Sequence, residues 1–163
     1  MLPMVVRTYA PKGETPVIRH FLTYEHLSAI SAITPDGKLY IMTQSRSIKG
    51  PDVVRFLKHL LHHIPGRLLI VWDGAPIHRS KVLKAFLADG AAERILLARL
   101  PAYAPELNPD EGIWNYLKRV ELKNLACRDL DHLRHELRKA VARLRHKPNV
   151  IRGCISQTDL MRC

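Results

Sequence analysis

The sequence predicts a mixed α/β fold with a sheet held between helices. Three observations predict it: a strand-length apolar run, Leu68 to Trp72, a second one at residues 94–100, and amphipathic segments around both with apolar residues three and four apart. Taken in order, residues 4–16 contain Pro11, Gly13 and Pro16 and read as a strand remnant followed by a turn. Residues 27–34 and 39–42 are β-compatible and flank Pro35-Asp36-Gly37, so they read as a hairpin. Residues 51–64 are helical, with Val53, Val54, Leu57, Leu60, Leu61 and Ile64 on one side and Arg55, Lys58, His59 and His62 on the other. Pro65-Gly66 stops that helix, and the unbroken apolar run Leu68 to Trp72 then reads as a strand buried on both faces. A helix over 80–89 carries Val82, Leu83, Phe86 and Leu87 and stops at Gly90. After the strand at 94–100, Asn108 is a good N-cap and Pro109 a good first helical residue, for a helix reaching about Leu122. The last helix spans about 129–146, with a leucine-rich stripe opposite Arg134, Arg138, Lys139, Arg143 and Arg145.

The chain has 163 residues, 47% of them hydrophobic and 25% charged, which suits one folded domain and excludes a disordered polyelectrolyte. No apolar run approaches the roughly 20 residues that cross a bilayer, and the first residues lack the pattern of a signal peptide. Three cysteines without C-x-x-C spacing argue against a disulfide framework and a zinc site, and for a reducing, cytoplasmic interior. The formal charge is +11, and from Gly112 onward there are 12 Lys+Arg against 5 Asp+Glu. A surplus of this sign points to a polyanion, and the commonest one inside a cell is nucleic acid.

In so basic a chain the carboxylates at special places are informative. Asp73 directly follows the apolar strand, at the carboxyl end where open α/β sheets place their ligands. Glu111 falls in the first turn of the helix begun by Asn108-Pro109, where the helix dipole favours an acid. Paired carboxylates at a sheet rim suit Mg²⁺ or Mn²⁺, and two such ions about 4 Å apart serve phosphoryl transfer. By spacing alone, capping roles explain both residues equally well.

The surrounding residues decide between these readings. Val71-Trp72-Asp73-Gly74-Ala75-Pro76-Ile77-His78, and Leu100-Pro101-Ala102-Tyr103-Ala104-Pro105-Glu106-Leu107-Asn108-Pro109-Asp110-Glu111-Gly112-Ile113-Trp114-Asn115-Tyr116-Leu117-Lys118, resemble the second and third acidic motifs of DDE transposases. The group resembled is that of mariner-like bacterial insertion sequences. The likeness spans about residues 1–150, leaving 151–163 as a C-terminal tail. It implies an RNase H-like fold, Mg²⁺ or Mn²⁺ dependence, DNA (element ends and target) as partner, a possible homo-oligomer, a nucleoid-associated location, and no membrane or small-molecule cofactor. Asp73 then matches the second catalytic acid, and Glu111, rather than Asp110, the third. The family's first acid belongs on a strand just upstream of a segment resembling residues 2–13, so the first strand and first acid are expected to be missing here. Glu14, Glu25 and Asp36 lack the right context to replace it. A truncated frame, a decayed copy and the second half of a frameshifted product are the candidate explanations.

Several basic and polar residues gather around these motifs. His78 either contacts the metal site or the scissile phosphate, or caps the next helix. Asn115 and Lys118 lie four and seven residues after Glu111 on one helical face, and with Arg119 they are candidate DNA contacts. Arg138, Lys139 and Arg143 are candidates for tracking the DNA backbone, or else a solvated face. Trp114 and Leu117 read as core. His59, His62 and His63 include an i,i+4 pair but lack a Cys or carboxylate nearby, so a solvated basic face is the better reading than a transition-metal site. The leading expectation is an incomplete transposase catalytic domain. Its rivals are a non-catalytic DNA-binding or oligomerising fragment that modulates an intact transposase, and a stand-alone nuclease with its third acid elsewhere.

Overall fold

The computed structural model describes residues 9–14, 17, 26–101 and 104–158. Most of the strand remnant expected at 4–16, Glu25 and Cys163 lie outside them; the expected turn is present, with the Glu14 N–H donating to Pro11 C=O at 3.0 Å. Strands β1 (Ser28–Ile33) and β2 (Leu39–Gln44) form an antiparallel hairpin in which Ile33 faces Leu39. Its turn needs Gly37 at φ +85, and the backbone of Pro148 packs so close that no side chain would fit there. Next come α1 (Gly50–His63), β3 (Leu68–Trp72), α2 (Lys81–Ala88) and β4 (Ile95–Arg99). β3 and β4 are parallel, from Leu68 opposite Ile95 to Trp72 opposite Arg99, with α2 as the crossover. The chain ends in α3 (Pro109–Tyr116), α4 (Leu130–Arg145) and α5 (Pro148–Ser156).

The hairpin joins two cores because its side chains alternate between faces. Ile33, Leu39 and Ile41 pack with Ile113, Leu117, Leu137, Leu144 and Ile151 of the helical end. Ile30, Ala32, Tyr40 and Met42 pack instead with Val53, Phe56, Leu57 and Leu60 of α1 and with the inner face of β3 and β4. Full burial of a side chain such as Ile113 or Leu144 contributes about 1.5–3 kcal/mol. Polar links reinforce the junctions: Arg145 Nε donates to Leu39 C=O, and the Arg94 guanidinium donates to the carbonyls of Leu61, Ile64 and Gly66 at the carboxyl end of α1. Asp52 accepts both guanidinium nitrogens of Arg46 at 2.7 Å and the Lys49 N–H at 2.9 Å, which seats the first turn of α1.

Two expectations are corrected, and the structure adds a helix that the sequence reading did not include. β3 is not buried on both faces: Leu68, Ile70 and Trp72 face α1 and α2, while Leu69 and Val71, with Leu96 of β4, are exposed. The reason is that α3, α4 and α5 pack on the hairpin rather than across β3. The helix expected to run to about Leu122 changes type after Tyr116, and residues Leu117–Glu121 form a π turn closed by the Leu122 N–H on Leu117 C=O. Residues 148–156 form α5, whose Ile151 is fully buried, so the boundary expected at residue 150 falls inside a helix. Cys127 and Cys154 are free thiols. No helix among the described residues is long and apolar enough to cross a membrane.

Candidate active site

β3 and β4 run in the same direction and end level with one another, and the Leu100 N–H on Trp72 C=O extends the ladder one step past β4. Asp73 leaves this edge with its side chain 59% exposed. Its Oδ1 accepts the Ala75 N–H at 3.0 Å and lies 3.1 Å from His78 Nε2, while Oδ2 has no protein partner among the described residues. His78 sits in the 3₁₀ turn Pro76–Arg79 and stacks on Trp72, ring centroids 4.3 Å apart. Burial lowers its pKa, against the opposing pull of Asp73. Its Nδ1 is buried without a partner. His78 is thus turned toward Asp73 and Trp72 and only 15% exposed; the helix cap at α2 is instead Ser80, whose Oγ accepts the Leu83 N–H.

From β4 the chain passes through a short 3₁₀ turn to α3, capped as expected by Asn108, whose side chain accepts the Asp110 N–H. The two adjacent acids then diverge. Asp110 points inward: its Oδ2 accepts Ser31 Oγ at 2.6 Å and Trp114 Nε1 at 3.0 Å, and burial raises its pKa. Glu111 points outward, is exposed, and makes no side-chain hydrogen bond or ion pair among the described residues. It lines an open cleft of about 420 Å³ together with Asn108, Asn115, Cys154 of α5 and, just past that helix, Gln157 and Thr158. Sequence reasoning therefore brought Glu111 and Asn115 to one surface, but it missed the α5 wall. The signal was present, in Pro148 at a first helical position and apolar Ile151, Cys154 and Ile155 three and four apart.

The basic candidates divide by their partners. Lys118 and Arg119 lie in the π turn, do not line the cleft, and make no ion pair among the described residues. Arg143 and Lys147 both grip Glu121, at 2.6 and 2.8 Å; burial raises the Glu121 pKa, but the two cations outweigh it and hold the carboxyl below its ordinary value. Lys139 pairs with Glu136, whereas Arg138 on the same helix is exposed and makes no ion pair among the described residues. His59 and His63 meet each other and Tyr40 in tilted and edge-on ring contacts, and no group of three metal-binding side chains occurs among the described residues.

The donor set fits a hard cation in kind. Asp73 and Glu111 each present a carboxylate oxygen with no protein partner, and oxygen is what Mg²⁺ and Mn²⁺ take. Asp36 is held in the hairpin turn by Thr34 and Lys38.

The fold is an α/β layer with Asp73 directly after β3 and Glu111 in the first turn of the helix after β4, and sequence comparison supplies the family. A model of the DDE superfamily endonuclease family matches residues 3–134, and the chain belongs to that family. Among solved structures, the Mos1 mariner paired-end complex with Mn is similar at 16% identity and a TM-score of 0.62, over 98% of this chain and 53% of that one. The Mos1 strand transfer complex is similar at 15% and 0.60, over 94% and 50%, and the catalytic domain of Mos1 mariner transposase at 14% and 0.53, over 81% and 79%. At such identities the likeness establishes the fold, and the RNase H-like α/β class expected from the sequence is the one found. The chain spans about half the length of the Mos1 chains in the two complexes. No curated protein matches it.

Proposed function

We propose that this chain is a transposase catalytic domain that acts on DNA phosphodiesters at a divalent-metal centre held by Asp73 and Glu111. One observation carries the reading: Asp73 directly follows β3, Glu111 stands in the first turn of the helix after β4, and each is exposed with a carboxylate oxygen free of protein partners among the described residues. Mg²⁺ or Mn²⁺, when bound, supplies the positive charge that activates the attacking oxygen and stabilises the leaving one. The chain's own part is positioning. The Ala75 N–H and His78 hold Oδ1 of Asp73, so that Oδ2 is the oxygen presented outward. Asn115, Lys118, Arg119 and Arg138 provide polar and cationic groups for the DNA backbone, in keeping with the basic surplus of the C-terminal third. Water and then a DNA 3′-hydroxyl would be the nucleophiles on phosphodiesters of the element ends and the target.

Carboxylate oxygens are what hold such an ion, so Mn²⁺ binding by the purified chain should depend on both acids. The test is Mn²⁺ titration of the purified chain, followed by spin resonance, alongside nicking of supercoiled plasmid. Binding that disappears in Asp73→Asn and in Glu111→Gln supports the reading. Binding of Mn²⁺ unchanged in both variants would overturn it. Salt-dependent DNA binding that persists in both variants, with no metal binding even in the parent, would favour the non-catalytic fragment instead.

A further inference from the structure

β4 is apolar from Ile95 to Ala98 and then ends on an arginine. Arg99 stands opposite Trp72 in the parallel ladder, so it leaves the sheet edge beside the turn that carries Asp73. Its guanidinium lies over Gly74: a Cβ on that glycine would come within 2.5 Å of Nη2 and 2.9 Å of Nε. Gly74 therefore leaves open the space that the guanidinium occupies. Several arginines, unlike Arg99 and Arg138, spend their donors on the protein. Arg94 bonds three carbonyls, and Arg143 and Arg134 pair with Glu121 and Asp131. Arg99 is exposed and makes no hydrogen bond or ion pair among the described residues. It is an always-charged fork of N–H donors, packed against the Asp73–Gly74 turn yet not paired with Asp73.

We infer that Arg99 is a phosphate-binding residue of this centre, gripping the DNA backbone where it crosses the Asp73 turn. This rests on the proposed DNA-processing role and extends it to a residue outside the two acidic motifs. A planar guanidinium suits the non-bridging oxygens of a phosphate, which it can bond in pairs. Its packing over Gly74 places that grip at the residue next to Asp73. A contact of this kind adds affinity and orientation without sequence preference.

The test uses the full chain, a fluorescein-labelled 30-base-pair duplex of arbitrary sequence and anisotropy titrations at several KCl concentrations. Arg99→Ala should weaken binding roughly tenfold, as loss of a charge-assisted contact does. It should also lower the slope of log K against log salt by about one. Arg99→Lys keeps the charge and should keep the slope while losing part of the affinity. Gly74→Ala displaces the guanidinium and keeps the charge; it should weaken binding in the parent and have no further effect when combined with Arg99→Ala. Circular dichroism of each variant verifies folding, and Arg99→Lys carries the test if Arg99→Ala fails to fold. Parent-like affinity and slope in Arg99→Ala would overturn the inference alone. Absence of any salt-dependent DNA binding by the parent chain would overturn the DNA-processing role, and the inference with it.

Discussion

Oδ1 of Asp73 lies 3.1 Å from Nε2 of His78, and the stack of that imidazole on Trp72 holds the geometry in place. His78 thus acts on the carboxylate from the protein side, and one oxygen of Asp73 is committed before any ligand arrives. Removing such a supporting partner of a metal-binding carboxylate weakens metal affinity by about 10–100-fold. His78→Ala should therefore reduce Mn²⁺ affinity within that range, without abolishing it as Asp73→Asn does, and should change the tryptophan fluorescence as the Trp72 stack is lost. Parent-like Mn²⁺ affinity in His78→Ala would leave the ring a purely structural role.

Asp110 and Glu111 are neighbours with opposite tasks, and their variants should separate cleanly. Asp110→Ala strands the Ser31 hydroxyl and the Trp114 indole N–H and should cost about 1–3 kcal/mol in urea unfolding. Glu111→Gln removes no protein contact and should change stability by less than about 0.5 kcal/mol while eliminating Mn²⁺ binding. The reverse pattern would assign the metal to Asp110.

The cationic face of α4 is not uniform. Arg143 holds Glu121, which is 5% exposed, so Arg143→Ala should cost about 1 kcal/mol after allowance for the half-exposed guanidinium. Arg138 makes no ion pair among the described residues, so Arg138→Ala should leave stability unchanged and reduce the salt dependence of DNA binding instead. Equal stability losses in the two variants would contradict this division.

The Arg46 guanidinium, with help from the Lys49 N–H, holds the buried Asp52 carboxyl far below its ordinary pKa of 3.8. A depressed acid binds fewer protons in the folded state than in the unfolded one. Its stabilisation is therefore complete above about pH 4 and is lost as pH falls toward the folded value. Urea midpoints measured from pH 6 to pH 2.5 should fall steeply for the parent at the acid end and less steeply for Asp52→Asn. Parallel curves would mean that Asp52 does not drive acid unfolding.

Much of the fold was legible because it rests on local patterning. The three- and four-residue spacing through α1, α2 and α4, the Asn108 cap and the Pro35-Asp36-Gly37 turn are written in adjacent residues, and all are found. The exposed face of β3 was not legible, since an unbroken apolar run cannot say which helices will cover it. Nor was the π turn at Leu117–Glu121, whose Leu-Lys-Arg-Val-Glu reads as ordinary helix.

By itself the sequence determined the α/β class and the family likeness, and it singled out Asp73 and Glu111 as the acids to test, because ordered motifs are written in adjacent residues. Only the tertiary structure decided that Asp110 turns inward to Ser31, that α5 walls the Glu111 cleft, and that His78 supports Asp73 from beneath. It also decided that Arg99, distant in sequence from Gly74, lies against it. Those relationships join residues from separate strands and helices. They exist only once two parallel strands have paired and the hairpin has drawn the helices onto its faces.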